Sequence, residues 1–264
     1  MTIYYDKSSN MYYKISSNYS PNFTTSKRIK NNIKHLVFHY TGMRSETKAI
    51  NRLIDENSKV SCHYLIKRNG AIILMVPEIY IAWHAGISFW KNQKNLNKSS
   101  IGIEITNKGH HFGYENYSKQ QILSLIQLSK YLIKKYNINK KNILGHSDIA
   151  FNRKKDPGEK FPWQYLATKG IGYWHNTKGN LKKYRKLKVI KKNKLKFILF
   201  LKKVGYLTKF KSKTDKNNLI KAFQRRFRPE LIDGKIDEEC FLIAKPLVKT
   251  EIISLEIYLI NIIL

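Results

Sequence analysis

A long amphipathic helix between two short apolar segments constrains the fold of this chain more than any other feature of its sequence. The pattern Ser118-Lys-Gln-Gln121 is that of a helix capping box. The residues that follow on one helical face are Ile122, Leu125, Ile126, Ser129, Leu132, Ile133 and Tyr136. Strand-like segments precede this helix at 101–106 and follow it at 143–144. The middle of the chain is therefore predicted to alternate strand, helix and strand.

A hairpin signal upstream of the helix adds a second constraint. Residues 62–67 and 71–76 are largely apolar and are joined by Arg68-Asn69-Gly70, and Asn-Gly between two such segments is the strongest short-range sign of a β-hairpin. Before them, residues 35–40 have the pattern of a buried strand and residues 45–57 that of a helix. Helices interleaved with strands predict an α/β domain, with a mixed central β-sheet flanked by helices, up to about residue 175.

Two side chains on the predicted strands are candidate functional residues. His39 stands near the end of the first predicted strand, just before a turn. In the alternating segment 101–106, Glu104 lies on the face opposite the three isoleucines, beside Gly102, which has no side chain to cover it. A carboxylate on the more open face of a central strand is well placed to line a cleft.

The segment 142–158 adds an imidazole and further charged groups. His146 follows a short strand, and Asp156 precedes Pro157, which disfavours a helical backbone at the aspartate. A loop can bring these two side chains, ten positions apart, to one point, where a divalent cation would accept them but would need at least one more ligand. Taken alone, such short motifs are more often an ordinary loop histidine and a turn than a metal site.

A change of composition marks a boundary in the second half of the chain. Residues 178–213 contain 15 Lys and Arg and no acidic residue. Apolar residues then recur at helical spacing within 195–204 and 219–227, and Asp237 can cap a last helix that runs through Ala244. Three short helices make a small bundle, which is typical of a binding module or of a structural appendage.

The charge of the whole chain indicates an anionic partner. Fifty Lys and Arg against 18 Asp and Glu give a formal net charge of +32. Nucleic acid, anionic cell-wall polymer and membrane surfaces all fit such a charge. Neither an aromatic-interleaved strand of the RNA-binding type nor zinc-finger spacing is present, so nucleic acid is not expected. No stretch reaches 18 apolar residues, so no transmembrane segment is expected either.

The ordered combination of these motifs resembles the zinc-dependent N-acetylmuramoyl-L-alanine amidases of the amidase-2, or AmpD-like, family. The resemblance covers residues 33–170. It is carried in chain order by His39, the hairpin, Trp83-His84-Ala85-Gly86, Ser100-Ile-Gly-Ile-Glu104, His146-Ser-Asp-Ile-Ala and Arg153-Lys154-x-Asp156-Pro-Gly.

The resemblance implies a site and a reaction. His39, His146 and Asp156 would bind one Zn²⁺ per chain and leave a fourth position for water, which is the pattern of a catalytic zinc site. Glu104 would act as general base and then as general acid towards the leaving amine, and Lys154 would stabilise the oxyanion. The substrate would be peptidoglycan or a muropeptide, cleaved between N-acetylmuramic acid and L-alanine.

Three further residues are expected to bind substrate. By the same resemblance, Trp83, His84 and Asn97 would form the cleft wall, where sugar rings stack and peptide groups are hydrogen-bonded. Asp148 is interpreted as a structural residue rather than a ligand.

A second resemblance concerns the C-terminal part. Residues 190–248, with Val204-Gly-Tyr206 and Ala222-Phe-Gln-Arg-Arg-Phe227-Arg-Pro, are similar to the type 1 peptidoglycan-binding domain, from which the Lys-rich first helix departs. We expect this basic part to bind anionic cell-wall polymer and the protein to be a monomer. The predicted domains are an irregular N-terminal lead-in (1–32), a zinc amidase domain (33–177), a basic linker (178–190), a peptidoglycan-binding-like helical domain (191–250) and an apolar tail (251–264).

Two alternatives and the compartment stay open at this stage. His146-Ser-Asp148 also fits the start of a 2-His-1-carboxylate iron triad, as in metal oxygenases, although the long helix argues against their jelly-roll fold. The same amidase fold could also serve as a non-catalytic peptidoglycan-binding protein. A wall-binding module favours the bacterial cell envelope, whereas the N-terminus lacks the pattern of a signal peptide, which leaves the cytoplasm open.

Overall fold

A computed structural model describes residues 2–6 and 11–248 and confirms the predicted fold class, a mixed β-sheet flanked by helices. The chain divides into two units. The first comprises Met1–Ser88 and Lys94–Tyr173, and the second comprises Phe89–Gln93 and Trp174–Leu264. No helix within the described residues is long and apolar enough to cross a membrane.

The strands of the described residues are β1 (Thr2–Asp6), β2 (Met11–Ser17), β3 (Phe23–Thr24), β4 (His35–Tyr40), β5 (Tyr64–Ile66), β6 (Ile72–Leu74), β7 (Ile81–Ala82), β8 (Phe89–Trp90), β9 (Gln93–Lys94), β10 (Ser100–Ile105) and β11 (Ile143–Gly145). The main sheet has the order β1-β2-β6-β5-β10-β4-β11. The predicted hairpin is present, since β5 and β6 pair antiparallel around the Asn-Gly turn.

The helices are α1 (Glu46–Ile54), α2 (Lys119–Tyr136), α3 (His146–Ile149), α4 (Trp163–Thr168), α5 (Lys191–Val204), α6 (Lys213–Phe227) and α7 (238–248). The predicted capping box of α2 is formed: the Ser118 hydroxyl accepts from the Gln121 amide at 3.1 Å, and the Gln121 side chain accepts from the Ser118 amide at 3.0 Å. Such a cap stabilises a helix by about 1 kcal/mol. The face of α2 that carries Leu125 and Leu132 is buried, as its apolar periodicity predicts.

Parallel pairing at the centre of the sheet positions the functional residues. Strand β10 runs parallel to both β4 and β5, and β11 runs parallel to β4. Their carboxyl ends therefore meet at one edge, where open α/β sheets usually bind ligands. The register pairs Glu104 with His39 across neighbouring strands, so these side chains lie on the same face of the sheet. The isoleucines of β10 point to the opposite, fully buried face.

The N-terminal segment differs from the irregular lead-in that its sequence predicts. Strands β1 and β2 form an antiparallel pair, and β2 extends the main sheet by pairing parallel with β6. Backbone hydrogen bonds to an edge strand need no apolar periodicity, so a polar segment can add to a sheet without a recognisable pattern. Farther along, Ser20, Asn22 and Arg28 are buried polar residues of the same segment.

The second unit contains the three predicted helices α5, α6 and α7. Phe197 of α5 packs edge-on against Phe223 of α6, with ring centroids 5.1 Å apart. Gly205 ends α5 at a positive φ of 135°, a conformation that favours glycine. The buried guanidinium of Arg228 pairs with Asp237 and Glu239, so its charge is compensated inside the unit. The predicted apolar tail, 251–264, lies outside the described residues.

Candidate active site

Three predicted metal ligands converge at the carboxyl ends of the central strands. His39 is near the end of β4, His146 directly follows β11, and Asp156 lies on the loop beyond α3. The Nδ1 atoms of the two histidines are 2.9 Å apart, and each is 3.0 Å from Oδ2 of Asp156. All three side chains are buried. Two imidazole nitrogens and one carboxylate oxygen meeting at one point form a donor set that suits a divalent cation.

The loop after β11 folds back on itself to bring Asp156 to this point. The Ser147 amide donates to the carbonyl of Asp156 at 2.8 Å, which fixes the two ends of the loop together. Gly145 permits the close approach, because a Cβ there would stand only 2.7 Å from Cδ of Pro157. Asp148 is not part of the cluster: its Oδ2 accepts from the Gly145 amide at 2.8 Å and caps α3.

The electrostatics of His39 and Asp156 favour a neutral imidazole beside an ionised carboxylate. Burial lowers the pKa of His39 to about 4; the neighbouring His146 adds to this lowering, and Asp156 opposes it. Burial alone would raise the pKa of Asp156, but its contacts with His146 and His39 hold that pKa well below the usual range. Metal ligation requires these two protonation states, a lone pair on the imidazole and a charged carboxylate.

Glu104 faces the same cleft from the neighbouring strand. Its Oε2 is buried and has no hydrogen-bond partner among the residues that the structure describes. Burial raises the pKa of Glu104 to about 8; the charge of Asp156 adds to this, and that of Lys154 opposes it. An unpartnered carboxyl oxygen with a pKa near neutrality is suited to exchange protons with a bound reactant.

One cleft brings together most of the residues that the sequence singled out. Its walls include Tyr40, Trp83, His84, Glu104, Lys154 and Asp156. Trp83 is partly exposed in this wall, and its indole Nε1 donates to Thr24 Oγ1 at 3.0 Å. The substrate-binding role of Trp83 and the catalytic roles of Glu104 and Lys154 stay predictions, now with a common location.

Asn97 and His84 make contacts that fix the backbone and the ring of His84. The Oδ1 atom of Asn97 accepts from the amides of His84 and Ala85, at 3.2 and 2.7 Å. Both ring nitrogens of His84 are engaged within the protein, Nδ1 with His39 at 3.0 Å and Nε2 with Ser100 at 3.1 Å. The substrate-binding roles predicted for these two residues stay predictions, and their observed contacts are with the protein.

Sequence reasoning assigned no role to several residues around the site. The carbonyl of Ala85 accepts from His146 Nε2 at 3.1 Å, and Ser100 contacts His84. The guanidinium of Arg28 reaches the Ser100 carbonyl at 2.6 Å. A backbone carbonyl or a single arginine in a polar segment gives no signal in the sequence. Tyr40 directly follows His39 in the sequence, so its position beside the cleft could be inferred from that of His39.

A buried His-His-Asp cluster that could hold a metal ion lies at the ends of parallel strands, and a carboxylate and a lysine line the same cleft, which defines a candidate hydrolase site. A family model described as N-acetylmuramoyl-L-alanine amidase (Amidase_2) matches residues 29–159. The chain is 37% identical over 231 residues to the N-acetylmuramoyl-L-alanine amidase AmiD of Escherichia coli, covering 82% of this chain and 83% of the relative. The chain belongs to this amidase-2 family, and it is an enzyme of the N-acetylmuramoyl-L-alanine amidase class.

Shorter relatives and solved structures agree with this assignment. The 1,6-anhydro-N-acetylmuramyl-L-alanine amidase AmpD of Escherichia coli is 40% identical over 107 residues, or 40% of this chain and 55% of the relative. A structure of E. coli AmiD in complex with anhydro-N-acetylmuramic acid-L-Ala-D-γ-Glu-L-Lys matches with a TM-score of 0.74 and 35% identity, over 86% of this chain and 92% of that one. AmpDH3 of Pseudomonas aeruginosa matches with a TM-score of 0.73 and 33% identity, over 86% and 94% of the two chains.

Proposed function

We propose that this protein is a zinc-dependent amidase that hydrolyses the amide joining the lactyl group of N-acetylmuramic acid to L-alanine. The observation that carries the proposal is the convergence of His39 Nδ1, His146 Nδ1 and Asp156 Oδ2, 2.9–3.0 Å from one another, in a cleft that also contains Glu104 and Lys154. The substrate complex of the similar AmiD supports a muramyl peptide as the substrate class.

The residues present fit one zinc ion. Zinc accepts imidazole nitrogen and carboxylate oxygen, and three protein ligands that leave a further position open are the pattern of a catalytic site. When bound, zinc supplies a Lewis acid that polarises a carbonyl group and acidifies a water molecule. His39, His146 and Asp156 would hold it, and their burial keeps competing water away from the ligand atoms.

Glu104 is proposed to move the protons of the reaction. Its unpartnered Oε2 can accept a proton from the attacking water, and the resulting carboxylic acid can return that proton to the departing amine of L-alanine. The raised pKa of about 8 brings the acid and base forms of Glu104 close in free energy near neutral pH. One residue can therefore serve both steps.

Lys154 and Trp83 are proposed to bind the reacting molecule. Lys154 lines the same cleft as Glu104 and Asp156, where its charge can stabilise negative charge that develops on the amide oxygen. The partly exposed indole of Trp83 offers a flat apolar surface on the cleft wall, on which a sugar ring can stack.

The experiment that tests this function is product analysis of a muropeptide digest. Zinc-loaded protein is expected to release an intact stem peptide with a free L-alanine amino group and a sugar with a free lactyl carboxylate, both identified by mass spectrometry. Cleavage within the peptide or between the sugars contradicts the proposed bond specificity.

The two alternative functions fit less well. The oxygenase triad would use Asp148 as a ligand, but that carboxylate caps α3 and lies outside the His-His-Asp cluster. A non-catalytic binding protein would not need an unpartnered carboxyl oxygen and a lysine beside the ligand cluster.

We also propose that the second unit binds anionic cell-wall polymer. No acidic residue occurs between 178 and 213, and helix α5 within this segment exposes a set of lysines that includes Lys191, Lys192, Lys196, Lys202 and Lys203. Exposed ion pairs contribute up to about 1 kcal/mol each and are screened over about 8 Å at physiological salt. Such a surface would hold the enzyme on insoluble wall material without taking part in the reaction.

Neutralising these lysines tests the polymer contact in the full-length chain. Replacing all five by glutamine is expected to weaken binding to purified sacculi by about tenfold or more at low salt, with turnover of a soluble muropeptide unchanged. The matched control replaces five exposed lysines of the first unit, Lys27, Lys48, Lys98, Lys130 and Lys140. Equal binding by both variants at low salt would show that α5 has no special role. Substitution is preferable to truncation because Phe89–Gln93 belong to the second unit.

A further inference from the structure

A chain of hydrogen bonds leads away from the metal site through His84. His39 places Nδ1 in the ligand cluster and Nε2 at 3.0 Å from Nδ1 of His84. The other ring nitrogen of His84, Nε2, lies 3.1 Å from the hydroxyl of Ser100, and that hydroxyl lies 2.6 Å from the carbonyl of Leu96. Four groups are thus connected in series.

The last member of the chain determines the direction of every bond. The Leu96 carbonyl can only accept, so the Ser100 hydroxyl donates to it and accepts from His84 Nε2. Neutral His84 then has its lone pair on Nδ1, which accepts from His39 Nε2. Neutral His39 consequently carries its proton on Nε2 and directs the Nδ1 lone pair to the ligand cluster.

The residue after His84, Ala85, orients the second ligand histidine, His146. Its Nε2 lies 3.1 Å from the carbonyl of Ala85 and 3.3 Å from Nη2 of Arg153. Arg153 Nη2 donates to the same carbonyl at a shorter distance, so we assign Nε2 of His146 as a second donor to that carbonyl, and Nδ1 keeps the lone pair that faces Asp156. The neighbouring residues His84 and Ala85 therefore act on the two different ligand histidines. Asn97 holds His84 and Ala85 in place, because its Oδ1 accepts from the backbone amides of these two residues.

Strand β10 leaves room for the ring of His84. A Cβ at position 102 would stand 2.3 Å from Cγ of His84, so a glycine in β10 is required for the ring to lie there. The backbone of His84, its ring and the Ser100 hydroxyl are all held by contacts inside the first unit.

We propose that His84 and Asn97 are positioning residues that set the tautomers of His39 and His146, so that both Nδ1 lone pairs point at the metal position before the ion arrives. This inference rests on the proposed function only in taking zinc as the ion. Partners that orient a metal-binding histidine in this way affect metal affinity by about 10- to 100-fold.

The first test compares two substitutions of His84. His84→Phe keeps the ring but removes the acceptor, whereas His84→Asn keeps an acceptor near the position of Nδ1. We expect the Phe variant to bind zinc about 10- to 100-fold more weakly in competition with a chromophoric chelator, and the Asn variant to recover about tenfold of that loss. If both substitutions weaken zinc binding equally, the acceptor at Nδ1 contributes nothing beyond the packing of the ring, and the proposal is overturned.

A second pair of variants tests Asn97. It provides a result even if the His84 variants fail to fold. Asn97→Asp retains Oδ1 and should bind zinc more tightly than Asn97→Leu, which leaves two amides without an acceptor. In the metal-free protein, nitrogen-15 NMR of histidine should find His39 protonated on Nε2 in the wild type and in a mixture of tautomers in His84→Phe. An unchanged tautomer in that variant contradicts the proposal.

A matched control and the wild type separate this inference from the proposed function. His110→Phe alters a histidine that contacts Tyr40 and Glu159 rather than the ligand cluster, and it should bind zinc as the wild type does. Wild-type protein that binds no zinc would refute the proposed metal site and, with it, this inference. Wild-type protein that binds zinc, with His84→Phe binding it equally well, would overturn the positioning role alone.

Discussion

Asp156→Ala and His146→Ala proteins are expected to lose at least about a thousandfold in amide hydrolysis. A catalytic metal contributes several kcal/mol of transition-state stabilisation, and each 1.4 kcal/mol is about a factor of ten in rate. Both side chains place a ligand atom in the buried cluster with His39, and each alanine removes one of the three donors that the described residues supply there. Turnover of a soluble muropeptide by purified variants, relative to the wild type, measures the effect.

These variants are expected to remain folded, because the cluster lies at the edge of a sheet whose core is formed by other residues. The central strands β4 and β10 bury apolar side chains such as Phe38 and Ile103, which neither substitution touches. Thermal unfolding of the metal-free proteins checks this. Asp148→Asn serves as the matched control, because it keeps an acceptor for the Gly145 amide and leaves the cluster intact. Loss of both zinc and activity in that control would mean that Asp148 is a metal ligand, contrary to the assignment.

Glu104→Gln and Lys154→Met are expected to lose about a hundredfold or more in kcat, while both proteins keep their zinc. The amide introduced by Glu104→Gln cannot accept a proton, and methionine at position 154 leaves the developing oxyanion without a cation. Neither side chain belongs to the ligand cluster, so metal binding should persist. Lys155→Met, at the exposed neighbouring lysine, is the control for charge alone.

The division of the effect between kcat and KM is informative here. A group that acts only in the transition state lowers kcat and kcat/KM together, whereas one that binds substrate raises KM. We expect the first behaviour for Glu104 and for Lys154. Near-normal turnover by the Glu104 variant would mean that another residue accepts the proton, and an effect on KM alone at Lys154 would make that residue a substrate contact.

The parts of the fold that sequence could predict are those with strong local patterns. The capping box and apolar face of α2, the Asn-Gly hairpin and the isoleucine alternation of β10 each specify one structure, and each is present. His39, His146 and Asp156 could be grouped because an ordered set of motifs resembled a known family. No single one of these motifs was sufficient, since an isolated histidine or an Asp-Pro turn has several ordinary explanations.

The parts that could not be predicted depend on long-range backbone geometry. Strand β2 joins the sheet by backbone pairing with β6, without the alternation that would reveal it. The Ala85 carbonyl reaches His146 across 61 positions of sequence, and a carbonyl is common to every residue type. His84 is visible in the sequence, but its contacts with His39 and Ser100 depend on the bare surface at Gly102.

One metal ion, held by His39, His146 and Asp156, is proposed to make this protein an amidase. The measurement that tests it most directly is the zinc content of the purified wild type and of Asp156→Ala, determined by elemental analysis beside protein concentration. The predicted result is one zinc per wild-type chain and almost none in the variant. A full zinc complement in folded Asp156→Ala protein would contradict the assignment of the site.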